Sequence, residues 1–355
     1  MVLHELTSDL RFAPIESPGD LRQFSELLNR TFPVPAGKNF FDDFPVWDAQ
    51  FKTDPNLIAR IGVFQGPRLI SAAGVKKAQM KTPRGVVPVA LIGAVVTDPE
   101  WRGHGFASKT VALALQWARE HNVSIALLWG SEHSLYKKLG FELCGKQMDI
   151  PLAELSLPLP GPFPNPVLTG WNLGIFDLLK KRPQGLAIVP SDLPWIESHK
   201  NIAWYWTGDA ASPRAYAGFG KGIDLQNRVH EWGGDPTDLK KILAHILAQN
   251  PGASLLGSPE LIRDAGFQVN APVDFLCMAR VIDPVRVFNS YYAKASLYGA
   301  LNPEGWKLTL SGPEWEAQLS EGAIAQLFFG PNSPNEESLK NYFPLPLWIW
   351  GIDAA

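Results

Sequence analysis

Residues 93–108, with the sequence GAVVTDPEWRGHGFAS, decide the fold of this chain. An apolar strand ends at Val96, a polar turn follows, and the glycine-containing residues 102–107 lead into a predicted helix with one apolar face. Glycines at 103 and 105 allow a ligand to approach the backbone closely, and a helix start presents unpaired N–H groups at the positive end of its dipole. The segment therefore predicts a phosphate or pyrophosphate site, to which Arg102 can add a charge-assisted contact.

Other interpretations of this segment compete with that one. Gly103 and Gly105 match the start of a GxGxxG dinucleotide fingerprint, but Ser108 stands at the third glycine and residues 97–102 separate the strand from the loop. The acidic residue that closes the next strand, Glu132, also comes later than that fingerprint requires. A P-loop is excluded because no Gly-Lys-Ser/Thr follows, and a glycine-rich turn without a ligand is a further interpretation.

The pattern R-x-x-G-x-A, present at residues 102–107, resembles the coenzyme A pyrophosphate loop of the GCN5-related N-acetyltransferase (GNAT) superfamily. Residues 95–99 (VVTDP) are similar to the fourth strand of that family and its exit. Residues 127–141 (LLWGSEHSLYKKLGF) resemble its Y-x-x-L/F-G-F/Y segment, and the W-x-S-E before the tyrosine is particularly similar to the enhanced intracellular survival (Eis) acetyltransferases. The close match covers residues 93–141, and the remainder agrees in architecture only.

The resemblance implies a mixed α/β fold, with tandem GNAT folds and a small C-terminal α/β extension. Six prolines within residues 151–166 predict an extended linker, so we expect domains at 1–150 and 167–282 and an extension at 283–355 that packs on both. Residues 127–141 return weakly as residues 255–267, each time after an amphipathic helix, which favours a duplicated domain. The extension is shorter than the sterol-carrier-like domain of those relatives.

The second copy is expected to be degenerate. Trp232-Gly-Gly-Asp-Pro-Thr stands where the first copy has its glycine loop, and no tyrosine corresponds to Tyr136. We therefore expect this copy to be a scaffold that has lost cofactor binding.

For the first copy, the resemblance implies an acetyl-CoA site and assigns residues to it. The cofactor is expected to contact the strand end, the glycine loop and the loop before Tyr136, at Val95, Val96, Thr97, Arg102, Gly103, His104, Gly105, Phe106, Ala107, Ser108 and Ser131. The strand backbone would hold pantetheine like an added strand, and one amide would stabilise the oxyanion. Tyr136 would protonate the leaving thiolate, although a packed aromatic with a satisfied hydroxyl is the alternative.

Acceptor binding is predicted for the acidic and aromatic segment at residues 40–48 (FFDDFPVWD). Asp42, Asp43 and Trp47 from this segment, with Glu132, would suit a cationic amine that has an apolar body. A surface loop whose aromatic side chains pack into the core is the competing interpretation.

The chain is apolar and aromatic up to its last residues, which predicts a buried tail. In the Eis proteins the C-terminus reaches the active site, so the resemblance implies that the carboxylate of Ala355 helps to deprotonate the amine. Asp353 is the competing carboxylate, and a tail that only seals an interface is the alternative.

Composition excludes several classes of protein and site. The net charge of −3 without a basic run argues against nucleic-acid binding, and the longest apolar run, residues 86–96, is too short to span a membrane. Two distant cysteines and seven scattered histidines support neither a disulfide framework nor a metal site. No basic region precedes an apolar one at the start, so a cytoplasmic location without a secretory leader is expected.

The function expected from these features is acetyl-CoA-dependent N-acetyl transfer to a primary amine, directly in a ternary complex. The acceptor would be a small molecule or a peptide, and a homo-oligomer is compatible with the sequence. Two alternatives stay open: a non-catalytic acetyl-CoA-binding or interaction protein, and another acyl or aminoacyl transferase on the same fold.

Overall fold

A computed structural model describes residues 9–34, 37–48, 50, 54, 56–159, 166–222, 224–311, 315–332 and 334–354. Contacts divide the chain into two compact units. The first falls within residues 1–144 and 277–346, and the second within residues 145–276 and 347–354.

Strands in the described part of the chain are β1 (Leu10–Pro14), β2 (Ile58–Gln65), β3 (Arg68–Thr82), β4 (Gly85–Thr97), β5 (Ile125–Leu128), β6 (Glu142–Cys144), β7 (Gln147–Pro151), β8 (Leu168–Thr169), β9 (Ala203–Asp209), β10 (Ser212–Phe219), β11 (Arg228–Gly234), β12 (Ser254–Gly257), β13 (Val273–Asp274), β14 (Cys277–Val281), β15 (Leu297–Asn302), β16 (Gly305–Leu310) and β17 (Trp315–Leu319).

Helices in the same residues are α1 (Pro18–Thr31), α2 (Phe106–Glu120), α3 (His133–Lys137), α4 (Leu173–Lys180), α5 (Leu193–Glu197), α6 (Pro236–Gln249), α7 (Pro259–Asp264), α8 (Pro284–Tyr291) and α9 (Glu321–Phe329). None of these helices has the combined length and apolar character needed to cross a membrane.

The two units repeat one sheet topology. The first sheet has the order β1-β2-β3-β4-β5-β14-β6, and the second has the order β8-β9-β10-β11-β12-β7-β13. In each sheet one central pair is parallel, β4 with β5 and β11 with β12, and a long helix, α2 or α6, connects its two strands. A separate antiparallel sheet, β15-β16-β17, belongs to the first unit. The predicted tandem α/β fold with a small C-terminal extension is confirmed.

Each sheet contains one strand that the sequence analysis placed elsewhere. Strand β14 pairs with both β5 and β6 in the first sheet, although residues up to 282 were expected in the second domain. Strand β7 pairs with β12 and β13 in the second sheet, although residues up to 150 were expected in the first domain. The proline-rich segment, whose residues 160–165 lie outside the description, therefore follows the entry into the second unit. Each of these strands has only five residues, which is too short a pattern to show which sheet the strand joins.

The helices that link the parallel strands form because their apolar residues recur at three- and four-residue spacing. In α2 the buried positions include Val111, Ala114, Leu115 and Ala118, which pack in the core of the first unit. The small alanine side chains allow the helix backbone to lie close to the sheet. This packing fixes where α2 begins relative to the end of β4, and so positions the candidate site.

Candidate active site

The two parallel strands of the first sheet separate at one end. Strand β4 pairs with β5 from Val89 to Ile92, and β5 ends at Leu128. Strand β4 continues to Thr97, and over residues 93–97 its only strand partner in the described chain is β3. The side of β4 that faces away from β3 is therefore open to an extended ligand that adds like a strand.

A β-bulge lies at the start of this opening. Gly93 pairs with Gly74 and Val96 with Ala72, so Ala94 and Val95 together oppose one residue of β3. Ala94 has φ of 50°, in the left-handed region that costs a non-glycine residue about 1–2 kcal/mol. Sequence reasoning missed this bulge because alanine gives no signal for a left-handed backbone, whereas a glycine would have done.

The exit of β4 is fixed by a nearly buried carboxylate. Asp98 accepts hydrogen bonds from Arg30 and Arg68, each at 2.7 Å, and caps the turn at residues 99–101 by accepting from the Glu100 amide at 3.2 Å. Burial works to raise the pKa of Asp98, but the Arg68 hydrogen bond and the Glu100 amide hold it below its usual value. Asp98 therefore stays ionised at neutral pH. Sequence reasoning missed this ion-pair cluster because its arginines are distant along the chain.

The glycine loop leads into a helix start that lacks a side-chain cap. Gly103 and Gly105 have φ of 79° and 81°, and a Cβ on either would have no atom of the described residues within 4 Å. Glycine is thus required by the backbone, and the space above the loop is open. Helix α2 begins at Phe106 with Gly105 as its N-cap and without any side-chain hydrogen bond to its first turn. The amides of residues 106–108 are thus available to an anion.

The two polar side chains of this loop, Arg102 and His104, differ in their accessibility to a ligand. Arg102 is exposed, and its Nε lies 3.5 Å from the carbonyl oxygen of Thr97. The Nδ1 of His104 lies 2.9 Å from the carbonyl oxygen of Arg102, and the imidazole stacks at 6.2 Å on Phe106. The imidazole is therefore directed to the loop's own backbone, whereas the guanidinium is accessible to a ligand.

Tyr136 lies in α3, the short helix that follows β5 along the chain. Its ring is in the core of the first unit, edge-on to Phe141 at 6.3 Å, and a Cβ on Gly130 would lie 3.1 Å from its hydroxyl oxygen. Burial and the nearby charge of Glu132 raise the pKa of Tyr136, so the hydroxyl stays protonated at neutral pH and can donate a proton. Ser131 and Glu132 are exposed in the loop between β5 and α3.

Three of the predicted acceptor residues, Asp42, Asp43 and Trp47, lie between α1 and β2. Trp47 is fully buried, its ring packs against Gly74, and its indole N–H has no hydrogen-bond partner within the described residues. Asp42 accepts a hydrogen bond from the Asn39 amide at 2.9 Å, so it caps a short 3-10 helix, and Asp43 is also buried. Their role in acceptor binding stays a prediction.

The tail of the chain is packed as far as residue 354. Residues 347–354 are packed in the second unit, as the apolar tail predicts, but Ala355 lies outside the described residues. Its predicted role as a base stays untested. The competing carboxylate, Asp353, is buried and paired with Arg182 at 2.8 Å in that unit. The described residues contain no group of three or more histidine, cysteine or acidic side chains that could hold a metal ion.

Comparison with known families identifies the domain that holds this site. Residues 15–144 match the family model of the acetyltransferase (GNAT) domain. The first unit contains a GNAT acetyltransferase domain. The matched residues include the separated strands, the glycine loop and Tyr136, so the GNAT resemblance of residues 93–141 is confirmed.

Solved structures extend the similarity of fold to the whole chain. A GCN5-related N-acetyltransferase from Anabaena variabilis ATCC 29413 aligns with a TM-score of 0.69 and 16% identity, covering 98% of this chain and 100% of that one. One from Kribbella flavida aligns at 0.60 and 19%, over 90% and 83% of the chains. Eis1 from Mycobacterium abscessus aligns at 0.60 and 12%, over 94% and 95%. No curated protein sequence matches significantly.

The GNAT-like second unit has a different helix start at the equivalent place. Helix α6 begins with Pro236, which has no N–H, and the carboxylate of Asp235 accepts from the amides of Thr237 and Asp238, both at 3.0 Å. Its first three positions thus offer no free amide, and a carboxylate stands where a phosphate would bind. This contrast with the uncapped α2 gives a physical basis for the expected loss of cofactor binding.

The packing of Trp47 on the sheet generates a stability prediction. A Cβ on Gly74 would lie 2.5 Å from the Trp47 ring, so Gly74→Ala should lower the free energy of unfolding by about 1–3 kcal/mol through overpacking. Gly19→Ala, in α1, meets no atom closer than 3.8 Å and serves as the matched control. Urea denaturation measures both. An unchanged midpoint for Gly74→Ala would show that Trp47 is not fixed against β3.

Proposed function

We propose that the chain is an acetyl-CoA-dependent N-acetyltransferase whose single cofactor site lies in the first unit. The observation that carries the proposal is the uncapped start of α2 beside the open end of β4. The amides of Phe106, Ala107 and Ser108, the loop glycines and Arg102 would hold the diphosphate. The backbone of residues 95–97 would hold the pantetheine arm, and Ser131, exposed in the loop after β5, would contact the cofactor. When bound, acetyl-CoA supplies the activated acetyl thioester.

In this proposal, separate groups of the chain stabilise the acyl oxygen, protonate the leaving sulfur and bind the acceptor. A backbone amide at the β4 bulge would stabilise negative charge on the acyl oxygen, because such donors are most effective in a dry site. The Tyr136 hydroxyl would donate a proton to the departing sulfur. Its raised pKa favours the protonated form, which keeps the donor available at neutral pH. The proposed acceptor-side groups are the acids Asp42 and Asp43, Glu132 and the indole N–H of Trp47, which has no hydrogen-bond partner in the part of the chain that the structure describes.

The acceptor in this proposal is a primary amine on a small molecule or an exposed peptide. An amine panel assayed by thiol release from acetyl-CoA tests it. Binding of acetyl-CoA without release of thiol across the panel would favour the non-catalytic alternative. Release with a longer acyl-CoA alone would favour another acyl transferase.

The first prediction of this proposal concerns stoichiometry. Calorimetry should give one acetyl-CoA per chain, and Gly105→Asp should weaken binding by about ten- to a hundredfold, because its carboxylate would oppose the phosphate charge at the start of α2. Gly66→Asp is the control, since Gly66 also has positive φ and open space in the same unit. Two sites per chain, or equal affinity for both variants, would contradict the assignment.

A second prediction concerns the proton donor. Tyr136→Phe keeps the ring packing and removes only the hydroxyl, so kcat should fall by about 10²–10⁴-fold while the Kd for acetyl-CoA changes little. Because the pKa of Tyr136 is raised, ionisation of this group should not reduce wild-type kcat below a pH of about 10. Tyr298→Phe alters an exposed tyrosine and is the control. Wild-type kcat for Tyr136→Phe would eliminate the role.

The third prediction concerns the proposed base. The sequence-based proposal assigns the base to the carboxylate of Ala355, because the tail is apolar up to its end. Deleting Ala355 should lower kcat by about 10²-fold or more if its carboxylate accepts the amine proton. Ala355→Gly retains the carboxylate and the length, and should keep wild-type kcat. Equal kcat for the deletion and the glycine variant would remove the carboxylate from the mechanism.

A further inference from the structure

The end of the chain lies along β11 just where that strand leaves its parallel partner. Strands β11 and β12 pair only at Arg228 and Val229. Directly afterwards, the amide of Gly351 donates to the carbonyl oxygen of His230 at 3.3 Å, and the amide of Ile352 donates to the carboxylate of Glu231 at 2.9 Å. By topology, residues 230–234 of β11 correspond to residues 93–97 of β4 in the first unit.

The same kind of bulge marks both positions. In the second sheet Phe219 pairs with Val229 and Gly218 with Glu231, so His230 is an extra residue of β11. Its carbonyl is the group that accepts the tail amide. The second unit therefore uses the bulge of its opened strand pair to bind a backbone, and that backbone is the chain's own.

Trp350, which precedes Gly351 in the tail, is an aromatic anchor. Trp350 is 1% exposed, its indole N–H donates to the carbonyl oxygen of Gln184 at 3.0 Å, and its ring meets Trp232 edge-on at 5.4 Å. Trp232 in turn donates to the carbonyl oxygen of Leu256 at 2.7 Å, which bridges the gap between β11 and β12. The ring of the anchor therefore packs on the indole that links the two separated strands.

Buried charges recognise the rest of the segment. Arg182 donates to Glu231 and to Asp353, both at 2.8 Å, and none of the three side chains is more than 1% exposed. Lys221 donates to the carbonyl oxygens of Gly351 and Ala354 at 2.7 and 2.8 Å. Two cations and two carboxylates thus balance one another, which a buried cluster requires.

One position of the segment admits only glycine. A Cβ on Gly351 would overlap the imidazole of His230, whose Nε2 is fixed by the carbonyl oxygen of Gly220 at 3.1 Å. The neighbouring contacts prevent the tail from moving aside. The contacts therefore select tryptophan, glycine and aspartate at positions 350, 351 and 353.

We infer that the second unit is a peptide-binding module whose resident ligand is the chain's own segment at residues 350–354. It takes a peptide backbone of the form Trp-Gly-x-Asp at its opened strand pair, the place that corresponds to the proposed pantetheine path of the first unit. The assignment rests on contacts within the second unit and is independent of whether the first unit transfers acetyl groups.

Hydrogen exchange on the full wild-type chain gives a direct test. The amides of Gly351 and Ile352 should exchange as slowly as those of β11, because opening the site is needed to expose them. Rapid exchange at residues 351–354 with protection of β11 would overturn the inference without any variant. Acetyl-CoA is absent from this measurement, so failure of the proposed activity does not affect its outcome.

Variants with a weakened tail test the ligand chemistry. In the full chain, Gly351→Ala with Asp353→Asn should release the tail, so that carboxypeptidase removes residues through 350 at least about tenfold faster than from wild type, the change that 1.4 kcal/mol produces. Asp149→Asn, which breaks an exposed ion pair with Arg228 in the same unit, is the control. Wild-type protection of the double variant, with its fold verified by circular dichroism, would contradict the assigned contacts.

A synthetic peptide of residues 347–355 completes the test. Labelled peptide should bind the double variant, measured by fluorescence anisotropy, and should not bind wild type, whose site is filled. The same peptide carrying both substitutions should bind at least about tenfold more weakly. Equal binding of the two peptides, or a wild-type dimer on size exclusion that dissociates when peptide is added, would overturn the assignment of the chain's own tail as the specific resident ligand.

Discussion

The separation of two parallel strands is the constraint on which the rest of the first unit depends. Four residue pairs hold β4 to β5, and then β4 continues without that neighbour. The bulge at Ala94 bends the strand at this point, and the ion pairs of Asp98 fix its exit. Together they determine where β4 ends and where the glycine loop and α2 begin. A continuous sheet would leave no unpaired backbone for a strand-like ligand.

The two units differ in what is available to pair with the backbone groups at this opening. In the first, Gly105 leaves the α2 amides without a cap and the loop faces open space. In the second, Asp235 satisfies the α6 amides and Trp232 bridges the separated strands. Unsatisfied backbone groups are costly when buried, so each opening needs a partner. A ligand is proposed to supply it in the first unit, and the protein's own residues supply it in the second.

The sequence predicted the parts of the site that depend on local pattern. The loop at residues 102–107 required glycine at left-handed positions, and the apolar spacing of α2 was evident, so both were predictable. The position of β14 beside β5 could not be predicted, because a strand of five residues carries no information about which sheet it joins. The bulge at Ala94 could not be predicted either, because tertiary packing rather than residue type imposes its backbone angle.

The buried charges of the second unit explain why its ligand is part of the chain. Arg182 has two carboxylate partners, and one of them is Asp353 of the tail. Without the tail, Arg182 would lose Asp353, and Lys221 would lose the carbonyl acceptors at residues 351 and 354. Removing partners from a buried charge cluster is destabilising, so the bound tail stabilises the second unit. A tethered segment stays bound because its effective concentration is on the order of millimolar, which no free peptide of similar affinity would sustain.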